Sequence, residues 1–159
     1  MNILITGGAG YIGSIVANYF LEKKYNVTII DNLSKGYKFL IPKSAVFVNS
    51  DISNKSKVTK LLKKKKFQVL IHLASLTDVE ESMFKSKKYI DNNFNKSKVF
   101  FEICQKFKLK KIIFSSTAAV YANSKNGTVS ENSKVKPLSP YGKSKQLFEN
   151  YLKKKKNKK

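Results

Sequence analysis

Tyr141 and Lys145 are the two residues of this sequence whose types and spacing are best suited to moving a proton. They lie in the stretch Ser139-Pro-Tyr-Gly-Lys-Ser-Lys145, where Pro140 suits the start of a helix. Four residues apart on a helix, they would share one face. A phenol with a reference pKa of about 10 is a poor base at neutral pH, but a neighbouring ammonium favours the phenolate. We therefore predict that Tyr141 is a base and Lys145 its helper.

Thr117 is the predicted hydroxyl partner of this pair. It follows an apolar strand that ends in Phe114-Ser-Ser116, and its hydroxyl can share the substrate proton with Tyr141. A tyrosine and a lysine four apart often occur by chance, so the interpretation depends on what precedes them in the chain.

A glycine-rich stretch near the N-terminus predicts a site for a dinucleotide pyrophosphate. Gly7-Gly-Ala-Gly-Tyr-Ile-Gly13 follows the apolar run Ile3–Ile5 directly. Gly7 permits a tight turn, Gly10 allows close approach of the phosphates, and Gly13 allows a helix to pack closely on a strand. The diphosphate would lie at the N-terminus of that helix. The alternative is an ordinary glycine-rich turn; helical spacing of the following apolar residues, Ile12, Ile15, Val16, Tyr19 and Phe20, favours the binding motif.

Asp31 is the residue that would select the cofactor. It ends the second apolar run, Val27–Ile30, where a dinucleotide-binding fold carries its ribose-binding acid. A carboxylate there accepts hydrogen bonds from the adenosine 2′-hydroxyl and repels a 2′-phosphate. The chain also contains no arginine to bind that phosphate, so we expect NAD rather than NADP. The alternative is that Asp31 only caps the turn that follows it.

Alternating strands and helices would position these residues. Short runs rich in β-branched residues predict buried strands, and amphipathic stretches between them predict helices. This alternation indicates an α/β fold, a Rossmann-like doubly wound parallel sheet with right-handed crossovers. The predicted strands are Ile3–Ile5, Val27–Ile30, Ala45–Val48, Val69–Leu73 and Ile112–Phe114, and the predicted helices are 11–23, 54–65, 82–107 and 141–153.

Bulk properties restrict the function classes. A chain of 159 residues suits one domain. The formal charge of +22 raises the alternative of a nucleic-acid binder. All of the basic residues are lysines spread along the chain, and no recognition motif is present, so we interpret the charge as a solvated surface and expect no nucleic-acid partner.

The remaining signals favour a cytoplasmic protein. The one cysteine, Cys104, excludes an intrachain disulfide and suits a reducing compartment; its spacing from Phe94 and Phe101 predicts a core thiol. His72 has no companions at ligand spacing, so we expect no metal site. We find neither a signal-peptide pattern nor an apolar run of membrane-spanning length.

Several motifs together resemble the extended short-chain dehydrogenases/reductases, and most closely the UDP-glucose 4-epimerases among them. They are GGAGYIG, DNLSKG, Asp51-Ile52, IHLASLTDVEES, DNNFN, FSSTAAVYA and SPYGKSK. The resemblance runs from Met1 to about Leu152. It implies a bound NAD, a UDP-sugar substrate and reversible oxidation at the sugar C4 through a 4-keto intermediate. The lack of a long apolar run separately predicts no membrane partner.

The resemblance also implies roles for individual residues. At the pyrophosphate of NAD these would be Gly7, Gly10, Tyr11, Ile12 and Gly13; at the ribose, Asp31, Asn32 and the turn to Gly36. Asp51 and Ile52 would hold the adenine. The segment beneath the cofactor would be Leu73, Ala74, Ser75, Leu76 and Thr77, and Asn92 would lie behind the cofactor. Tyr141 would be the base, Lys145 its helper and a ribose ligand, and Thr117 the hydroxyl partner. Thr77 departs from the pattern, because some 4-epimerases carry a lysine there.

Two neighbouring activities fit the residues less well. Sugar-nucleotide dehydratases usually carry acidic residues directly after the position of Thr117, but Ala118 and Ala119 stand there. Decarboxylating relatives tend to carry an acid in the same turn, and this sequence has none there. Epimerisation therefore fits best, with another NAD-dependent sugar-nucleotide epimerase or dehydratase as the alternative.

The end of the sequence departs from the resemblance. We expect an incomplete NAD-binding domain over residues 1–152, truncated before the last strands and the C-terminal substrate domain, and a lysine-rich tail over 153–159. The strand at 112–114 would then be an unpaired edge. Besides the 4-epimerase and a related sugar-nucleotide enzyme, the sequence therefore leaves open a third hypothesis, that the chain is a fragment that binds NAD without catalysing a reaction. Relatives commonly form homodimers through helices like 82–107 and 141–153, which predicts a homodimer here.

Overall fold

Five parallel strands form one sheet. The computed structural model describes residues 1–107, 109–122 and 127–156. The strands are β1 (Asn2–Thr6), β2 (Asn26–Asp31), β3 (Val46–Asn49), β4 (Val69–His72) and β5 (Lys111–Phe114), and their order is β3-β2-β1-β4-β5. All five predicted strands are confirmed, and this strand order is that of the predicted Rossmann-like fold.

Six α-helices connect and follow the strands in the described residues. They are α1 (Tyr11–Glu22), α2 (Lys55–Lys64), α3 (Val79–Phe84), α4 (Ser86–Ile90), α5 (Lys96–Cys104) and α6 (Pro140–Lys156). A π-helical turn, Asp91–Asn95, joins α4 to α5, and short 3₁₀ turns lie at Lys38–Leu40 and Ala118–Val120.

The helix predicted over 82–107 is confirmed from Ser86 to Cys104, where α4, the π-helical turn and α5 are continuous, but its start was wrong because α3 is a separate helix. Asp78 caps α3 by accepting a hydrogen bond from the N–H of Glu81 at 2.8 Å, so the helical region begins earlier than predicted. Lys85 (φ −122°, ψ 45°) leaves the helical conformation and separates α3 from α4. The interruption has no glycine or proline signal in the sequence.

Contacts divide the described chain into two units. The first comprises Met1–Ser75 and Val99–Ser115, and the second comprises Leu76–Lys98 and the described residues of Ser116–Lys159. The sheet, α1 and α2 belong to the first unit; α3, α4 and α6 belong to the second. Residues 157–159 of the predicted tail lie outside the described residues. The predicted division at residue 152 stays a prediction.

The core of the first unit lies on both faces of the sheet. On one face, Leu4, Ile30 and Leu70 pack with side chains of α2 and α5; on the other, Ile3, Ile5 and Ile29 pack around Ala17 of α1. Because both faces are covered, the strands are nearly continuous runs of apolar residues.

The face by which α1 packs differs from the expectation. Its buried residues are the small Gly13, Ser14 and Ala17, whereas the predicted Ile12, Ile15 and Tyr19 are 60%, 53% and 55% exposed. A Cβ at Gly13 would lie 2.2 Å from the carbonyl oxygen of Gly7. The helix therefore approaches the loop so closely that no side chain fits at Gly13, while the predicted Val16 and Phe20 are partly buried and pack against the core.

Cys104 and His72 are core residues. Burial raises the pKa of the Cys104 thiol to about 12, so the predicted core thiol is confirmed. The ring of His72 stacks against Phe100 and Phe114, and its Nδ1 is 2.7 Å from the hydroxyl of Thr6. Of the helices in the described ranges, none combines the length and apolar character needed to cross a membrane.

Candidate active site

The loop between β1 and α1 has the geometry of an anion site. Gly7 has a φ of +72°, and a Cβ there would lie 2.6 Å from the backbone nitrogen of Ala74. Its N–H donates to the carbonyl of Ile30 at 3.1 Å. Gly10 is the N-cap residue of α1 and has no side chain to occupy the first-turn amides, which therefore suit a phosphate. Tyr11 and Ile12, in that first turn, are 76% and 60% exposed.

Asp31 fixes this loop and caps a turn at the same time. Its Oδ2 accepts the N–H of Ala9 at 3.1 Å, and its Oδ1 accepts the N–H of Leu33 at 2.8 Å. The turn-capping alternative is thus present in the structure. A carboxylate has about four acceptor positions, so these two bonds leave room for a ribose hydroxyl, and the ribose role stays a prediction.

The predicted adenosine-binding residues meet at the carboxyl ends of β2 and β3. The Nδ2 of Asn32 donates to Oδ2 of Asp51 at 3.1 Å. Oδ1 of Asp51 accepts both the N–H and the hydroxyl of Ser53, at 2.8 and 2.7 Å. Ile52 packs in the core and is 7% exposed. These bonds fix the shape of the rim on which an adenine would lie.

Thr6 holds the segment after β4, and the sequence interpretation missed it. Its carbonyl accepts the N–H of Leu73 at 3.1 Å, and its hydroxyl accepts the N–H of Ala74 at 3.2 Å. Leu73, Ala74 and Ser75 are half-buried, whereas Thr77 is exposed. The sequence feature that could have indicated this role is a threonine at the last position of β1, directly before the glycines.

In the second unit, α6 carries the predicted proton-transfer pair. Tyr141 and Lys145 are 8% and 3% exposed, and the Lys145 Nζ lies 5.9 Å from the centre of the Tyr141 ring. The predicted shared face is confirmed. Burial lowers the pKa of Lys145 from 10.5 to about 8, so the amine remains mostly charged at neutral pH.

The turn that carries Thr117 packs against the same helix. Its Oγ1 accepts the N–H of Ala119 at 3.2 Å, and a Cβ at Gly142 would lie 2.3 Å from the Ala119 carbonyl oxygen. The hydroxyl of Ser116 donates to the carboxylate of Glu149, two turns after Tyr141. The turn that follows Thr117 therefore packs against the first turn of α6, and the role of Thr117 as hydroxyl partner stays a prediction.

Three further residues around Tyr141 were not found from the sequence: Ser82, Asn93 and Ser144. All three are buried, and their hydrogen bonds reach both backbone groups of Tyr141. The predicted Asn92 is half-buried and donates through Nδ2 to the side-chain oxygen of Asn93 at 3.0 Å. The signal available for Asn93 was the polar run Asp91–Asn95 inside an amphipathic helical stretch.

Comparison with known proteins places this geometry in one family. Residues 3–159 match the profile of the NAD dependent epimerase/dehydratase family. The UDP-glucose 4-epimerase of Streptomyces lividans is 35% identical over 89% of this chain and 44% of its own length. The putative UDP-glucose 4-epimerase of Methanocaldococcus jannaschii is 40% identical over 95% of this chain and 50% of its own.

Solved structures of 4-epimerases also resemble this chain. The UDP-Glc/GlcNAc 4-epimerase of Campylobacter jejuni superposes with a TM-score of 0.91 at 39% identity, over 96% of this chain and 48% of that one. The UDP-glucose 4-epimerase of Brucella ovis, solved in complex with NAD, gives a TM-score of 0.91 at 30% identity, over 96% and 47%. The chain thus spans about half the length of the relatives it matches.

Proposed function

The chain belongs to the NAD dependent epimerase/dehydratase family, and from this we propose that it binds NAD and serves the 4-epimerisation of a UDP-sugar, UDP-glucose to UDP-galactose. The observation that carries the proposal is the buried Tyr141–Lys145 pair on one face of α6, with the Thr117 turn packed against that helix.

The residues of the first unit fit the cofactor. The β1–α1 loop carries no Cβ at the positions where a phosphate would approach, and a carboxylate stands at the end of β2 for the ribose. Asp31, with no arginine anywhere in the chain, supports NAD over NADP. The glycine loop would hold the pyrophosphate, Asp31 and Asn32 the ribose, and Asp51 the adenine.

In the proposed reaction a bound NAD would supply reversible hydride transfer at the sugar C4, and the residues of this chain would handle the proton. Tyr141, as phenolate, takes the proton of the C4 hydroxyl and later gives it back. The Lys145 ammonium keeps the phenolate form favourable, and the Thr117 hydroxyl hydrogen-bonds the same sugar oxygen. Because the pair is almost fully buried, its electrostatic interactions are stronger than they would be in water.

Two wider proposals accompany this function. The resemblance supports a homodimer through helices within 82–107 and α6. It also supports a cytoplasmic location, for which the single buried thiol of Cys104 is the support within the chain.

Two measurements test the proposal. Calorimetric titration with NAD should give saturable binding, and absence of any saturable signal would refute the cofactor assignment. Conversion of UDP-galactose should be lost in Tyr141→Phe and kept in Tyr151→Phe, a control on the same helix. Full conversion by Tyr141→Phe would refute the assigned base, and NAD binding without any conversion by the unchanged chain would favour the non-catalytic alternative.

A further inference from the structure

Asn93 binds the backbone of Leu76 as a neighbouring strand would. Its Oδ1 accepts the N–H of Leu76 at 2.8 Å, and its Nδ2 donates to the Leu76 carbonyl at 2.9 Å. Asn93 is 2% exposed and lies in the π-helical turn, a helical irregularity that is frequent at functional sites. One side chain therefore fixes the peptide groups on both sides of Leu76.

The same side chain is connected to the proposed base. The Nδ2 of Asn93 also donates to the hydroxyl of Ser144 at 3.1 Å. That hydroxyl donates in turn to the carbonyl of Tyr141 at 2.6 Å. The carbonyl side of Tyr141 is thus linked to Leu76 through two buried side chains.

Ser82 of α3 binds the other backbone group of Tyr141. Its hydroxyl accepts the N–H of Tyr141 at 3.2 Å and donates to the carbonyl of Val79 at 2.6 Å. Ser82 is fully buried. In addition, Leu76 and Tyr141 pack in one apolar cluster with Tyr89, so polar and apolar contacts hold the same group of residues.

Ser82 is not needed merely to begin α6. Helix N-termini leave their first N–H groups without intrahelical partners, and a local side chain usually accepts one of them. Ser139 already does so, because its hydroxyl accepts the N–H of Gly142 at 3.1 Å. The bond from Ser82 comes from a different helix, so its effect is to fix where the first turn of α6 lies relative to α3.

We propose that Ser82 and Asn93 are positioning residues for Tyr141: together they hold the base at a set place relative to Leu76, in the segment assigned to the floor of the cofactor site. The inference rests on the proposed function. Neither residue touches the reacting atoms in this proposal. They act by fixing the position of the Tyr141 backbone. Position matters because a catalytic group misplaced by about 1 Å can lower the reaction rate about 100-fold.

The catalytic test uses Ser82→Ala, with Ser86→Ala, an exposed serine of α4, as the matched control. We expect kcat for UDP-galactose to fall about tenfold or more in Ser82→Ala, with KM and the Kd for NAD nearly unchanged. Ser82→Thr keeps the hydroxyl and should recover most of kcat. A folded Ser82→Ala with the kcat of the unchanged chain would overturn the proposal, as would equal losses of kcat in the Ala and Thr variants.

A second measurement does not depend on turnover. Amide hydrogen exchange at Tyr141 should speed up at least about tenfold in Ser82→Ala, while exchange at Gly142, capped by Ser139, stays as it was. If the Ala variant does not fold, Ser82→Cys replaces it. Cysteine is close to serine in size but accepts hydrogen bonds weakly, so exchange at Tyr141 should be faster in Ser82→Cys than in the unchanged chain. Unchanged exchange at Tyr141 in both variants would refute the positioning role; a chain with the expected exchange but no conversion would contradict only the proposed function.

Discussion

Lys145 shows how one buried side chain couples the site to stability. Burial penalises the charged form and lowers its pKa in the folded chain to about 8, against 10.5 for an exposed lysine. Between these two values the unfolded chain binds more protons than the folded chain, so stability rises with pH across that window. Below about pH 8 the unfavourable term is fully present; the proposed function gives a reason for it, since that proposal needs the amine beside Tyr141.

We predict that Lys145→Met stabilises the fold at pH 7 while abolishing conversion. The pKa difference corresponds to about 3 kcal/mol, and the gain should shrink as the pH rises from about 8 toward 10.5. Urea unfolding at several pH values measures it, with the exposed Lys143→Met as control. A Lys145→Met variant less stable than that control at pH 7 would contradict this account.

At the scale of elements, Gly7 joins three pieces of the fold. Its positive φ turns the chain from β1 toward α1, and its missing Cβ leaves space for the backbone of Ala74 after β4. Gly127 provides a natural comparison, because it has a similar φ of +68° but, among the described residues other than its chain neighbours, no heavy atom within 4 Å of a built Cβ.

Gly7→Ala should therefore destabilise the chain by more than Gly127→Ala. The positive φ alone costs about 1–2 kcal/mol for a residue with a Cβ, which is all we expect at Gly127. At Gly7 the clash with backbone adds about 1–3 kcal/mol and should also weaken NAD binding. Urea denaturation and NAD titration of both variants measure these effects; equal losses would show that the close approach to Ala74 is unimportant.

The α3–α4 junction is held by Glu81. Its carboxylate accepts hydrogen bonds from Lys88, Tyr89 and Lys85, which lower its pKa to about 2; burial and Glu81 raise the pKa of Tyr89 to about 12. The stabilisation from Glu81 is present above its ordinary pKa of 4.5 and is lost as the pH falls from there toward 2.

We predict that the stability of Glu81→Gln depends less on pH between 4.5 and about 2 than that of the unchanged chain. We expect a lower Tm than that of the unchanged chain at pH 6 and a smaller difference at pH 3, because below pH 4.5 the unfolded chain binds a proton at Glu81 that the folded chain does not, which offsets part of the stabilisation. Circular dichroism melts across this range test it, with the neighbouring exposed Glu80→Gln as control. A constant difference at every pH would indicate that Glu81 acts only by packing.

At the scale of the whole molecule, charge is the dominant feature. Lysines outnumber carboxylates by 32 to 10, and such an excess destabilises a folded chain through self-repulsion. The sheet adds an apolar edge: β5 lies at one end of the strand order, with Ile112 and Ile113 37% and 52% exposed. Within the part of the chain that the structure describes, β5 pairs with β4 alone.

We predict that added salt raises the Tm by a few degrees. Between about 0.01 M and about 0.1 M salt the screening length falls from about 30 Å to about 10 Å, which weakens the repulsion among lysines. The double variant Lys63→Gln, Lys64→Gln, at the exposed end of α2, should depend less on salt. A Tm that falls with salt would mean that attractive ion pairs outweigh the repulsion.

The sequence by itself determined the strands, the glycine loop and the spacing of Tyr141 and Lys145. These are local properties: apolar runs predict buried parallel strands, glycines mark positions where a Cβ cannot fit, and four residues make about one helical turn. The family resemblance rests on the same local motifs, so it too could be found without coordinates.

Only the tertiary structure decided which side of α1 is buried, where the helix predicted over 82–107 breaks, and which residues hold Tyr141. Each depends on partners distant in the chain: Ala17 packs in one cluster with Ile29 and Ile71, Asn93 pairs with Leu76 17 residues away, and Ser82 binds Tyr141 59 residues away. Serine and asparagine give no periodic signal, since their role is set by whichever backbone group the fold leaves in need of a partner.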